Sequence, residues 1–408
     1  MPTTETPTLA PLRRDLDFRR VFAASAAGKL GTQVSFLAVP LVAVSFLSAT
    51  PGQVGVLGAL ANAAWLLIGL PAGAWVDRMR RRPVMIAADL VRALLLISVP
   101  VAWWAGALTL TQLYAVVFAV GVATVFSEVA GQSLIPTLVG RDRVTEANAA
   151  LVGLDSVLTV GGRSGAGALI GVIGAPLAVI VDACGYLFSA LFLSRVRAPE
   201  PVAAPVRRSL LAEIREGVVL IWRNPVLRPI AIAGTGNNIA AIIVITMLPV
   251  RFVGELHVSE LLLGVFFALG GLGTFAGAAL TSRLVARLGR RRMLILPHLI
   301  GVPFALLVPL ADAGTWLWVA AAGWLIGSAR FGVTNVIGVS YRQQATPDHL
   351  LGRMNATMRF LFTGALAVGA LLAGVLGDRF GVVPALWTGT LLAALAWLPV
   401  LAIPKSDG

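Results

Sequence analysis

The sequence predicts an all-α membrane protein: twelve transmembrane helices in two pseudo-symmetric halves of six. Three observations predict it. Of 408 residues, 58% are hydrophobic and only 12% are charged, against roughly 25% charged in an ordinary soluble domain. The arginines cluster at intervals, around residues 13–20, 78–82, 141–143, 195–228, 283–292 and 342–353. Each gap between neighbouring clusters is mostly apolar and holds about two crossings at ~20 residues each. With a mean hydropathy of +0.87, the chain has too few polar side chains to cover a soluble fold. The net charge of +13 does not point to nucleic acid, because it lies in short loops and not on one face of a soluble domain.

The elements follow in order. Met1–Pro11 is polar and lacks the short apolar core and small-residue site of a cleavable signal, so the first span is expected to be kept. Apolar runs place the spans at 19–46, 53–76, 84–105, 109–138, 146–171, 176–196, 226–251, 258–284, 292–311, 314–343, 351–377 and 382–403. Turn signals separate them: Thr50-Pro51-Gly52, Arg82-Pro83, Gly174-Ala175-Pro176, Asn224-Pro225, Thr346-Pro347 and Val383-Pro384. The single cysteine, Cys184, lies in an apolar run and is expected to be buried as a small apolar residue.

Of the 32 Lys and Arg residues, 25 fall in one set of loops and the termini. Only Arg251 and Arg379 fall in the opposite loops, and Lys29, Arg92, Arg163, Arg330 and Arg359 lie inside spans. This asymmetry puts both termini in the cytosol. Thirty arginines against two lysines, with abundant alanine, suit a GC-rich bacterial genome, so the expected location is a bacterial plasma (inner) membrane, crossed many times. Residues 1–196 form the first half and 226–408 the second. The connector 197–225 begins Ala-Pro-Glu-Pro and continues with interleaved apolar and charged residues, which predicts a linker plus an amphipathic helix on the inner membrane surface.

The halves overlay at an offset near half the chain. Pro40 matches Pro249 at 209 residues (249 − 40), and the run from Asp77 matches that from Ala286 at the same offset. Asn148-Ala149 matches Asn355-Ala356 at 207 (355 − 148). Parallel repeats with a site between them near the midplane are a transporter architecture.

The loop after the second span reads Gly73-Ala74-Trp75-Val76-Asp77-Arg78-Met79-Arg80-Arg81-Arg82. It resembles the loop 2–3 motif of the major facilitator superfamily, with Gly73, Asp77, Arg78, Arg81 and Arg82 matching and Arg80 replacing a glycine. The second-half copy keeps Arg287, Gly289, Arg290 and Arg291 but has Ala286 and Ser282 for the acid and first glycine. The resemblance implies the major facilitator fold over nearly the whole chain. It also implies a conformational latch in which Asp77 meets the start of the eleventh span, Leu350–Asn355. Further stretches, Gln132–Val139, Val144–Ala149, Gly174–Pro176, Val181–Ala183 and Gly352–Ala356, are similar to the exporter branch that includes macrolide-efflux and enterobactin-exporter proteins. That similarity implies outward transport of amphipathic small molecules, usually driven by proton entry. One departure stands out: the fifth-helix antiporter motif (Gly-Pro, two residues, Gly-Gly) here reads Gly162-Arg163-Ser164-Gly165-Ala166-Gly167. A cation replaces the bend-making proline.

Ionisable groups at membrane depth cost about +2.5 to +3.5 kcal/mol at a helix centre and therefore seek partners or a watery cavity. Asp89, Glu128, Asp155 and Asp182 qualify, all in the first half. Asp89 and Arg92, three apart, read as a structural pair. The proton-coupling candidates are Asp155 first and Glu128 second, with Arg163 and Lys29 as moving cations and Asp182 as a further acid. The rival reading is a static, charge-balanced network. Polar candidates for the substrate cavity are Gln33, Asn62, Asn237, Asn238 and Asn335, with Trp65 and Phe331 for apolar contact.

There is no Gly-x-x-x-x-Gly-Lys-Ser/Thr loop for ATP, and His257, His298 and His349 are too scattered for a metal site. The expectation is a non-enzymatic, cofactor-free secondary transporter acting as a monomer. Its partners are a small-molecule substrate such as an antibiotic or siderophore, protons and membrane lipid. Rivals are proton-coupled nutrient uptake, lipid translocation and a non-transporting membrane sensor.

Overall fold

The computed structural model describes residues 12, 15–76, 78–198, 210–347 and 350–403. Its helices are α1 (Leu16–Leu41), α2 (Pro51–Val76), α3 (Arg81–Trp104), α4 (Leu110–Val139), α5 (Val144–Ile173), α6 (Ala175–Ser194), α7 (Leu210–Arg223), α8 (Leu227–Pro249), α9 (Glu260–Leu288), α10 (Arg292–Ala305), α11 (Thr315–Gln344), α12 (Leu351–Phe380) and α13 (Val382–Leu395). No strand occurs among the described residues. α7 is the connector helix; it packs on α8 and α12, with Ile221 buried against Met354 and Met358. The other twelve form two sixes, as the sequence predicts.

Eleven of the twelve are long and apolar enough to cross a membrane. The remaining one, α11, carries Arg330 and Asn335 in mid-helix and a polar Tyr341-Arg342-Gln343-Gln344 end. Its 30 residues and its packing along α9 and α10 make it a span by position. Cys184 corrects one expectation: it is exposed on the outer surface of α6. An apolar run in a membrane helix has a lipid side as well as a packed side, and hydropathy does not tell them apart.

The repeat is written into the backbone. α1 runs through Pro40 into a π-helical turn, Val42–Phe46, and α8 runs through Pro249 into another, Val250–Glu255. Proline removes an amide donor and crowds the preceding turn, which favours a widened ladder. Ser48 (φ 49°) and His257 (φ 51°) then reverse the chain, again 209 residues apart (257 − 48). Gly174 (φ 81°) and Gly381 (φ 92°) end α5 and α12, 207 apart (381 − 174). Both sit in the left-handed region that glycine adopts at no steric cost.

The arginine-rich loops lie on one side, the basic face; the opposite side is the far face. Packing differs between them. At the far face a single apolar core joins both halves: Leu37, Leu41, Leu57 and Ile170 from the first meet Ile243, Met247, Phe252, Phe267 and Leu386 from the second. Toward the basic face the core divides. Phe18, Val21, Leu134 and Leu193 pack within the first half, and Met293, Val333 and Ile337 within the second. The halves are therefore sealed at the far face and part toward the basic one.

The seal is made of close backbone crossings. A Cβ on Gly167 of α5 would lie 2.7 Å from the Cα of Gly264 on α9, and one on Gly374 of α12 would lie 3.1 Å from the Cα of Gly55 on α2. Phe36 of α1 meets Phe267 of α9 edge-on, with ring centroids 5.4 Å apart. At the rim, the Asp378 carboxylate at the end of α12 caps the start of α2. Gly52 N–H donates to Oδ1 at 2.7 Å, and Thr50 Oγ1 to Oδ2 at 3.4 Å. A carboxylate at a helix N-terminus satisfies orphan amides and the helix dipole, and this one joins opposite halves. Asp378→Ala removes a cap worth about 1 kcal/mol. It is expected to shift the population toward far-face opening by about fivefold, read as a longer spin-label distance between Thr111 and Trp316.

Candidate functional site: a charged cleft between the halves

Among the described residues, two half-exposed ion pairs face the space between the halves. Lys29 of α1 donates to Asp155 Oδ1 of α5 at 2.8 Å, with the two side chains 42% and 52% exposed. Arg359 of α12 donates to Glu128 Oε2 of α4 at 3.2 Å, 43% and 50% exposed. Asp155 lies 11 residues into α5 (155 − 144), about 16 Å from its basic end at 1.5 Å per residue. Half-exposed charges at that depth need water and not lipid around them. The Glu128–Arg359 pair fixes their location, because its partners belong to different halves. Arg359 also lies over the Trp65 ring of α2, 3.8 Å from its centroid, and Lys29 is within electrostatic reach of Glu128. The two pairs thus form one network.

Arg163 occupies the apex of the cleft, below the far-face seal. Its Nε donates to Gln33 Oε1 at 3.1 Å, and its guanidinium lies 4.2 Å from the centroid of Phe36. Arg163 and Asp155, eight apart on α5 and so two turns along one side of it, are within electrostatic reach but make no ion pair with each other among the described residues. Each finds its partner on α1, at Gln33 and Lys29.

Other candidates lie elsewhere. Asp182 of α6 is 2% exposed and packs against Gly31 of α1, with no ion pair among the described residues and its Oδ1 unpartnered there. It belongs to the interior of the first half. So do Asp89 and Arg92, which form the ion pair expected from their spacing, with Arg92 also donating to Ser127 Oγ at 3.0 Å. Asn237 Oδ1 accepts from Arg330 at 3.2 Å. Asn62 and Asn238 each donate an amide to their own helix, at Gly58 and Gly234. Asn335 is exposed on α11. Sequence reading passed over three features: Arg359 as the partner of Glu128, Asp378, and the buried Arg330–His298 contact at 3.2 Å. A charged residue inside a second-half span was the signal for Arg330 and Arg359.

Asp77 of the basic loop lies outside the described residues. Gly73 has open space at its missing Cβ, and Arg78 is exposed. Arg81 donates to Thr137 of α4 at 3.4 Å, and Arg82 to the Val196 carbonyl at the end of α6. The first turn of α12 is engaged by the connector, through Arg353–Glu216 at 2.7 Å.

Comparison with known proteins agrees with this architecture. The chain is 26% identical over 371 residues to the multidrug efflux pump Tap of Mycolicibacterium fortuitum, covering 88% of this chain and 89% of that protein. It is 21% identical over 383 residues to macrolide efflux protein A of Streptococcus pyogenes, covering 91% and 93%. The crystal structure of the nucleoside transporter NupG superposes with a TM-score of 0.79 at 10% identity, covering 95% of this chain and all of that one. The profile describing the Major Facilitator Superfamily matches residues 21–369, and the chain belongs to that superfamily.

Proposed function

We propose that the protein exports an amphipathic or lipophilic small molecule, of the antibiotic or siderophore kind, across a bacterial plasma membrane by alternating access with proton antiport. The observation that carries this reading is the half-exposed Glu128–Arg359 bridge between the halves, set at mid-depth below the apolar core that both halves share at the far face. Such a bridge has to break or re-form whenever the halves rock about the site. The basic face is assigned to the cytosol by its arginine excess, so substrate enters from inside. The efflux relatives support that direction.

Asp155 and Glu128 are the proposed proton carriers, with Asp182 as a buried third acid. Each of the first two holds a cation from another helix, and a cation's approach or withdrawal decides whether a carboxylate keeps its proton. Lys29, Arg163 and Arg359 are the cations that motion would redistribute. Of the polar cavity candidates, Gln33 supplies a contact to the cleft, where it accepts from Arg163. The loop residues Gly73, Asp77, Arg78, Arg81 and Arg82 would latch onto the start of α12 when the basic face closes. The fold and relatives are those of transporters, so no chemical conversion of substrate is assigned.

The test is a susceptibility and dye-efflux panel in a pump-deficient host, with and without an uncoupler. Uncoupler-sensitive efflux and raised resistance are expected for a subset of amphipathic compounds. Absent or energy-independent efflux across the panel would defeat the reading.

A further inference from the structure

The cleft is not electrically neutral, and the imbalance has a location. Among the described residues three cations face it, Lys29, Arg163 and Arg359, against two carboxylates, Asp155 and Glu128. Both carboxylates are engaged, by Lys29 and Arg359. Arg163 makes no ion pair with a carboxylate among the described residues; Asp155, within electrostatic reach of it, is already bonded to Lys29. Among the described residues only its Nε is bonded, to Gln33; its two terminal nitrogens make no hydrogen bond there, and neither is fully buried. One face of the guanidinium is covered by Phe36, and beyond it stand Phe267 and Trp324, packed edge-on at 6.4 Å. Gln33 and Phe36 hold the group in one orientation at the top of the cleft, so its free edge is preorganised. A guanidinium edge presents parallel donors that match a carboxylate in a two-point contact.

Resting on the export reading, we propose that the transported class is amphipathic organic carboxylates, whose anionic group docks on the terminal nitrogens of Arg163 while the apolar body lies lower in the cleft. A neutral or purely cationic amphipath would leave the Arg163 edge unsatisfied and meet an excess positive charge. Specificity of this kind comes as much from the unpaired group left behind as from the contact made.

The probe pair is tetramethylrhodamine bearing a free carboxylate and its methyl ester, which share one apolar body. Binding is measured by anisotropy to the purified full chain in lipid nanodiscs, with empty nanodiscs subtracted. The wild type is expected to prefer the acid by about tenfold or more, the range of a charge-assisted hydrogen bond. Arg163→Gln is expected to bring the acid-to-ester ratio close to one. Arg163→Lys, which keeps the charge and loses the two-point edge, is expected to hold an intermediate ratio, and it carries the test if the Gln variant does not fold. Equal affinity of the wild type for acid and ester overturns the proposal. So does a parallel loss of both dyes that leaves the ratio intact, since that marks Arg163 as a packing residue. A parallel efflux assay separates the two levels. If the ester is pumped in an uncoupler-sensitive way and the acid is ignored, export stands and the carboxylate assignment falls. If neither dye binds or moves, both fall.

Discussion

Asp155→Asn is expected to reduce uncoupler-sensitive export to background while leaving the protein inserted and folded. The carboxylate is half exposed in the cleft and accepts from Lys29 at 2.8 Å. An exposed ion pair contributes little to stability, about 0–1 kcal/mol, so its loss does not unfold the helix bundle. The decisive variant is the double neutralisation Lys29→Met with Asp155→Asn. If the pair only balances charge, removing both members restores export, because no unpaired cation is left. If Asp155 carries the proton, the double variant stays inactive. Size-exclusion profiles and thermal melts confirm that both proteins are folded. Active transport by the double variant would rule out Asp155 as the carrier and leave Glu128, paired with Arg359, as the remaining cleft acid.

Gly264→Leu is expected to have the second large effect, on conformation and not on chemistry. The backbones of α5 and α9 touch at Gly264 and Gly167, so any Cβ there would press into a facing Cα at 2.7 Å. Overpacking costs about 1–3 kcal/mol, and only the far-face-closed state bears that cost. A bias of about five- to 150-fold toward far-face opening follows. The measurement is maleimide labelling of Val44→Cys, which lies in the first π-turn beside Gly254 of the second. The exposed Cys184 is first replaced by Ala to remove background. Slower export with faster Val44→Cys labelling is the expected pair of results. Unchanged labelling would mean that this crossing does not belong to the gate.

Much of the architecture was legible because bilayer constraints are strong and local. Arginine spacing, apolar length and turn residues gave the spans, and the Pro40/Pro249 and Asn148/Asn355 matches gave the duplication. The backbone repeats it at Ser48/His257 and Gly174/Gly381. The site was legible in its members more than in its pairings. Lys29, Gln33, Asp155 and Arg163 stand out in the sequence as polar groups within apolar runs, and the structure pairs Lys29 with Asp155 and Arg163 with Gln33. Glu128 and Arg359, 231 residues apart, could not be paired, because that contact depends on how one half docks on the other. Asp182 and Asp155 read alike as acids within apolar runs. Yet one faces water and the other is sealed against Gly31, a difference set by helix rotation. Cys184 failed for the same reason. Asp378 looked like a loop residue, and its role depends on α2 starting where α12 ends.

The glycine crossings have a kinetic consequence. Burying a flexible side chain freezes up to about 2 kcal/mol of rotational freedom, whereas glycine has none to lose. A door hung on bare backbone swings shut without re-sorting side chains at each cycle, so its two positions can stay nearly equal in free energy. A transporter built this way would lose little free energy in working its hinges.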